Sequence, residues 1–206
     1  QKQKISKWLD QYGIVQDFIN EFSKIDFNRK IPKEDFYTDR EVFKLMSLYE
    51  IIIVCSESSY LKDSVIVDAM VTALSKTFLQ APPFLNGKRW EALRSITSQK
   101  TILIVSPLAA NCISSLYSPR TEALQDLTES INFITHCANL SVDVSRHLKQ
   151  SQLFSVLLRI VTQFSQSTIL HAAFRRFVFM ALENTELCAT AIEHYLPFCI
   201  TAAPSS

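Results

Sequence analysis

The stretch “TILHAAFRRFVFMALENTEL” (residues 168–187) is apolar along most of its length, yet it carries His171 and the adjacent pair Arg175 and Arg176. Its apolar residues recur at the three- and four-residue spacing that predicts one buried stripe of an α-helix. These residues are Leu170, Phe174, Phe177, Val178 and Ala181. His171 and Arg175 are four residues apart, so they share a neighbouring face of the same helix. The stretch therefore predicts a helix with one face in a core and a second face available to a partner.

The composition of the whole chain favours helices joined by short turns. Of 206 residues, 48% are hydrophobic and 11% are aromatic, which is ample for a continuous core. Only two residues are glycines, whereas β-rich domains and phosphate-binding loops depend on glycine in their turns. The formal net charge is +1, so the chain lacks the basic excess that duplex nucleic acid requires, and we expect no nucleic-acid partner.

Caps and helix breakers mark several helix boundaries. The segment “ISKWLDQYG” predicts a short helix that ends near Gly13. Thr38 or Asp39 is expected to cap a later helix. The segment “SPRTEAL” has the capping serine and the Pro119 that are typical of a helix start.

The hydrophobic spacing predicts an all-α chain of about ten helices. Helices of this length, arriving in pairs, favour an α-solenoid of armadillo- or HEAT-like helical repeats, with a single globular bundle as the alternative. The apolar run “IIIVC” (residues 51–55) supports the solenoid, because inner helices are apolar on two sides. No repeated sequence motif is evident. We expect residues 1–206 to form one helical-repeat domain and, since the first residue is Gln1, to be a fragment of a longer protein.

The cysteines and the apolar runs indicate a location inside the cell. The five cysteines are odd in number and have no close pairing, which favours a reduced compartment. No signal peptide opens the chain. The uncharged stretch at residues 101–119 contains Pro107 and Asn111, so it predicts a buried helix rather than a membrane span. Its β-branched start is also compatible with a strand, but no other segment alternates clearly enough to pair with it, so we favour the helix. We expect a cytoplasmic protein, with the nucleus as a second location and no membrane partner.

The sequence contains no recognisable motif for catalysis or metal binding. It lacks Gly-x-Ser-x-Gly, which forms the strained nucleophile turn of α/β-hydrolases. Cys188 and Cys199 share a helix face but lie about 16 Å apart along it, too far to share one zinc ion. We therefore expect no catalytic residue, no metal and no cofactor, and we do not expect an enzyme.

The candidate protein-binding residues are His171, Arg175, Arg176 and Phe179. Phe179 follows the arginines by three and four residues, so its ring is expected to underlie Arg176 or Arg175 in a cation–π contact. An arginine face with aromatic support suits the carboxylates or backbone carbonyls of another protein. The alternative interpretation of these residues is a solvated surface without a binding role.

Two segments resemble the SAPS-domain family, the regulatory subunits associated with protein phosphatase 6. The segment “WLDQYGIVQDFINEF” (residues 8–22) resembles one midway through that family's helical domain, where a Trp-Leu pair precedes Ile-Val and another Ile. The segment “LLRIVTQFSQSTILHAAFRRFVFMALE” (residues 157–183) resembles a later one, and its Leu170 and His171 match a Leu-His that opens a helix. Between them, roughly residues 28–118, the similarity is only that of helical proteins in general.

The later segment departs from the family's pattern at three positions. Ser167 and Thr168 stand where the family has two asparagines, and Arg175 replaces an acidic residue. The resemblance implies a divergent C-terminal part of a SAPS helical-repeat domain. It implies a non-catalytic scaffold that binds a serine/threonine protein phosphatase catalytic subunit and directs it to substrates. The alternative is an unrelated armadillo- or HEAT-type adaptor in transport or cytoskeletal control.

Overall fold

A computed structural model describes residues 13–59, 61–118 and 124–202, and the regular structure in these residues is helical throughout. The all-α prediction is confirmed, with eleven α-helices in the described residues against about ten expected. They are α1 (Ile14–Ser23), α2 (Arg40–Glu57), α3 (Lys62–Val65), α4 (Asp68–Ser75), α5 (Pro83–Ile96), α6 (Ile102–Leu116), α7 (Leu124–Leu140), α8 (Val142–Gln150), α9 (Leu153–Gln163), α10 (Thr168–Glu183) and α11 (Cys188–Ala202). The helix predicted before Gly13 and the helix start predicted at Pro119 lie outside the described residues.

Polar side chains cap the N-terminal ends of two helices. The carboxylate of Asp39, one of the two candidate caps, accepts hydrogen bonds from the backbone N–H groups of Glu41 and Val42 at the start of α2. At the start of α10, the Ser167 hydroxyl accepts one from the N–H of Leu170 at 3.3 Å. Each cap satisfies backbone donors that the first turn of a helix leaves without an intrahelical partner.

The chain divides into two compact units, residues 1–105 and residues 106–206. In the first unit α2 packs most extensively on α5, while α3 packs against α2 and α4 contacts both α1 and α5. Its core contains aliphatic side chains and the buried rings of Phe22 and Tyr49, whose centroids lie 5.9 Å apart. The expectation of one domain over residues 1–206 stays a prediction.

In the second unit α10 packs most extensively on α7 and also contacts α9 and α11. Helix α8 packs against α7, and α9 contacts α11. The ring centroid of Phe154 on α9 lies 5.6 Å from that of Phe177 on α10 and 5.4 Å from that of Tyr195 on α11. Three helices of this unit therefore share one aromatic core.

Both units contain a long, a short, an intermediate and a second long helix in the same order. The lengths are 18, 4, 8 and 14 residues for α2 to α5, and 17, 9, 11 and 16 residues for α7 to α10. In each unit the two long helices make the most extensive contact. In the first unit their starts are 43 residues apart (Arg40 to Pro83), which falls within the roughly 40–47 residues of armadillo and HEAT repeats. In the second unit, the first described residue of α7 is Leu124, which directly follows residues that the structure does not describe, so the same comparison is made only in the first unit.

Each unit contains one set of a long, a short and an intermediate helix followed by a second long helix, whereas the sequence predicted helices in pairs. Hydrophobic spacing shows which residues of a helix are buried, but it does not show which other helix covers them. A solenoid is a stack of successive helical repeats along the whole chain, and this arrangement stays a prediction.

Replacing Phe177 by alanine should destabilise the second unit far more than the same replacement at Phe179. Phe177 is fully buried against Phe154, whereas 59% of Phe179 is exposed on the same helix. Phe177→Ala should lower the free energy of unfolding by about 3–5 kcal/mol because it leaves a cavity. Phe179→Ala should change it by less than about 0.5 kcal/mol. Urea unfolding followed by far-ultraviolet circular dichroism measures both, and equal losses would contradict the orientation of α10.

Asp39 should make the start of α2 sensitive to acid. Burial raises the pKa of its carboxyl, but hydrogen bonds from Arg29 and from the N–H groups of Val42 and Glu41 outweigh burial and lower the pKa below its ordinary value of 3.8. A lowered pKa in the folded state stabilises the fold at pH values above the ordinary one. This contribution is lost as the pH falls through the folded-state pKa.

The variant Asp39→Asn should remove this acid sensitivity, because an amide does not ionise. At neutral pH we expect Asp39→Ala to cost about 1 kcal/mol and Asp39→Asn to cost less, since the amide retains an oxygen that caps the helix. Below about pH 4 the free energy of unfolding should fall less steeply in both variants than in the wild type. Thermal unfolding over a pH series measures the difference, and an unchanged slope in Asp39→Asn would refute the role of the carboxylate.

Candidate functional site

The buried side of α10 is rotated about the helix axis relative to the predicted stripe. Its buried residues are Leu170, Ala173, Phe177, Met180 and Ala181. Phe174 and Val178, both predicted in the stripe, are only partly buried. The rotation arises because α10 is covered from more than one side: Phe177 meets Phe154 of α9, and the Phe174 ring lies 5.2 Å from that of Tyr195 on α11. A prediction from sequence spacing assumes that only one side of a helix packs against the rest of the protein.

The opposite side of α10 exposes large apolar side chains together with both arginines. We call this surface the outer face, formed by Ile169, Arg175, Arg176, Phe179 and Leu182. The exposed fractions are 69% for Ile169, 59% for Phe179 and 40% for Leu182. Aromatic side chains and arginine are the residues enriched in protein–protein interfaces. The composition of the outer face therefore resembles that of protein–protein interfaces.

The two adjacent arginines of the outer face have different surroundings. The Arg176 guanidinium donates a hydrogen bond of 2.9 Å to the side-chain oxygen of Asn132 on α7, which ties the outer face to the neighbouring long helix. Arg175 is exposed and makes no hydrogen bond or ion pair with any other residue that the structure describes. A guanidinium is always charged and has five N–H donors. Arg175 thus has all of its donors available to a ligand.

The cation–π contact predicted for Phe179 is absent from the described part of the chain. There the guanidinium that lies over a ring is that of Arg89, 4.2 Å from the centroid of Trp90. Arg176 extends sideways to Asn132 instead, and Phe179 leaves most of its surface in solvent. The prediction was wrong because the sequence shows the spacing of residues along α10 but not the acceptor on α7 that attracts Arg176.

A groove of about 480 Å³ lies beside the first two turns of α10. We call it the α10 groove, and it is lined by Ser165, Thr168, His171, Ala172, Phe174 and Arg175. Two of the four predicted binding residues, His171 and Arg175, line this groove. The other two, Arg176 and Phe179, lie on the outer face and do not line it.

Sequence reasoning did not identify the groove itself. Thr168, His171, Ala172 and Arg175 have the three- and four-residue spacing of one helix face, and this signal was available from the sequence. Ser165 precedes α10, and only the path of the connection from α9 brings it to the groove. Phe174 was assigned to the buried stripe, yet it forms one apolar wall of the groove.

Metal and cysteine chemistry would each need a specific feature among the described residues. Within them, no group of three or more histidine, cysteine, aspartate or glutamate side chains is placed to hold a metal ion. Burial raises the pKa of the Cys137 thiol to about 12, so it stays protonated at neutral pH and is a poor nucleophile. The side chain of Cys199, considered with Cys188 as a metal ligand, lies outside the described residues.

The uncharged stretch at residues 101–119 forms the helix α6, as predicted, but it is not buried throughout, since Leu103 is 82% exposed. Among the residues that the structure describes, none of the helices has both the length and the apolar character needed to cross a lipid bilayer.

In comparisons with known proteins, the chain matches no protein-family model, no curated protein and no solved structure. The resemblance to the SAPS-domain family therefore stays a prediction.

Proposed function

We propose that the chain is a non-catalytic scaffold that binds a serine/threonine protein phosphatase catalytic subunit and directs it to substrates. One observation carries this proposal: the segment that resembles the SAPS-domain family forms α10, and the exposed side of α10 combines arginine with large apolar residues. The apolar residues are Ile169, Phe179 and Leu182. A surface of this kind is expected where a helix binds another protein.

The mechanism of such a scaffold is tethering. Holding a catalytic subunit and its substrate on one scaffold raises the concentration of each near the other without any new chemical step. The scaffold then needs no cofactor, no metal and no catalytic residue of its own. The same proposal places the protein in the cytoplasm, with the nucleus as a second location, and includes neither nucleic acid nor a membrane among its partners.

An armadillo- or HEAT-type adaptor in transport or cytoskeletal control is the second candidate function. It is favoured by the same order of long, short, intermediate and long helices in the two units, and by the 43-residue spacing of the long helices in the first unit. Proteins built from such repeats share a way of stacking helices, and they bind unrelated partners through the surface that the stack creates. The identity of the partner therefore separates the two candidates, whereas the fold does not.

Affinity capture from a lysate of the source organism, with quantitative mass spectrometry, tests the proposal. The wild-type chain should recover a serine/threonine phosphatase catalytic subunit. Phe179→Glu should reduce this recovery about tenfold or more, since an exposed aromatic residue at the centre of an interface contributes about 2 kcal/mol or more. The reduction follows because the variant places a charge at the centre of the outer face.

Phe43→Glu is the matched control for this experiment. Phe43 is 53% exposed on α2 in the first unit, so the same substitution there adds the same charge to a similarly exposed phenylalanine. Its recovery of the phosphatase should equal that of the wild type. Equal losses of phosphatase recovery in Phe179→Glu and Phe43→Glu would show that α10 is not the binding surface. Recovery of transport or cytoskeletal proteins without a phosphatase would support the adaptor instead.

A further inference from the structure

The lining of the α10 groove combines a positive charge and hydrogen-bond donors with apolar side chains. Arg175, His171 and the hydroxyls of Thr168 and Ser165 supply the polar groups, while Phe174 and Ala172 supply the apolar ones. Among the described residues that line the groove, none is an aspartate or a glutamate. A cavity with this lining favours a ligand that combines a negative charge with apolar atoms.

Two of the polar groups lack protein partners. Arg175 makes no hydrogen bond or ion pair with another described residue, in contrast to Arg176, which is bonded to Asn132. The Nε2 atom of His171 is buried and likewise has no hydrogen-bond partner among the described residues. Buried polar atoms are normally hydrogen-bonded, and those that are not call for an explanation such as a ligand. An arginine beside such a histidine provides the geometry that recognises carboxylate and phosphoryl oxygens.

The groove is continuous with the outer face. Arg175 belongs to both surfaces, and Phe179 follows it by four residues, about 6 Å along the helix axis. In an extended peptide, alternate side chains lie on one face about 6.6 Å apart. An acidic residue and an apolar residue two positions later would therefore reach Arg175 and Phe179 together.

We propose that the α10 groove binds the anionic side chain of an extended acidic peptide, a carboxylate or a phosphoryl group, while an apolar side chain of the same peptide packs on Phe179. Arg175 forms the ion pair, His171 and the two hydroxyls supply further hydrogen bonds, and Phe174 excludes water from one side. This inference deepens the proposed function by giving the chemistry of the partner segment. It rests on that function only in assigning protein binding to α10, and it does not require the partner to be a phosphatase.

Fluorescence anisotropy with the whole chain and labelled synthetic peptides tests the inference at constant ionic strength. The peptides share Gly/Ser flanks around Glu-Ala-Phe, phosphoserine-Ala-Phe or Gln-Ala-Phe. The glutamate and phosphoserine peptides distinguish the two anions, and at least one of them should bind about tenfold or more tightly than the glutamine peptide. Inorganic phosphate alone should compete only at much higher concentration, because it lacks the apolar contact.

Arg175→Gln should weaken binding of the acidic peptide about tenfold. Lys149→Gln, which removes the same charge from an exposed position of α8 outside the groove, should leave it unchanged within about twofold. Ala172→Glu is a second variant. It adds a carboxylate to the groove lining and should abolish binding of the acidic peptide. Circular dichroism verifies that each variant is folded.

The inference is overturned if neither acidic peptide binds or if the glutamine peptide binds equally well. Equal losses in the Arg175 and Lys149 variants would also overturn it, since they would show a general charge effect. Inorganic phosphate that binds as tightly as the peptides would replace the peptide site by a small-anion site. These results are independent of phosphatase capture, so failure of the peptide experiment and failure of the proposed function can be told apart.

Discussion

The burial of Phe177 against Phe154 sets the orientation of α10, and the surface that the helix presents follows from it. The two ring centroids lie 5.6 Å apart in the aromatic core of the second unit. Successive residues of an α-helix are about 100° apart, so Phe179 is turned about 200° from Phe177. The outer face is therefore a geometric consequence of the core: Phe179 can leave the solvent only if another molecule covers it.

The contact between long helices recurs in both units although the sequence shows no repeated motif. Helices α2 and α5 in one unit and α7 and α10 in the other pack in the same order. Packing of this kind requires apolar residues of suitable volume on facing sides, and many combinations satisfy it. Residue identities can therefore diverge while the positions of the long helices are retained, which accounts for the lack of an evident repeated motif in the sequence.

Local features of the fold were predictable from the sequence, and contacts between distant segments were not. Three features depend only on residues a few positions apart in the sequence: the helical class, the cap at Asp39 and the helix of residues 168–183. The bond from Arg176 to Asn132 joins positions 44 residues apart, and the rotation of α10 depends on Tyr195, which the helix meets only after folding. For the same reason His171 and Arg175 were identified from the sequence, while the groove that joins them to Ser165 was not.

The energetics of the α10 surface favour a partner that uses the groove and the outer face together. A solvent-exposed ion pair contributes only about 0–1 kcal/mol, so Arg175 alone cannot hold an anionic partner. Burying an exposed phenylalanine contributes about 1.5–3 kcal/mol, but it does so for any apolar group and gives little specificity. An ion pair formed beside a covered Phe179 is shielded from water, and the two contributions strengthen each other. In the proposed site, selectivity therefore depends on the distance between Arg175 and Phe179 along the helix, which a partner must match.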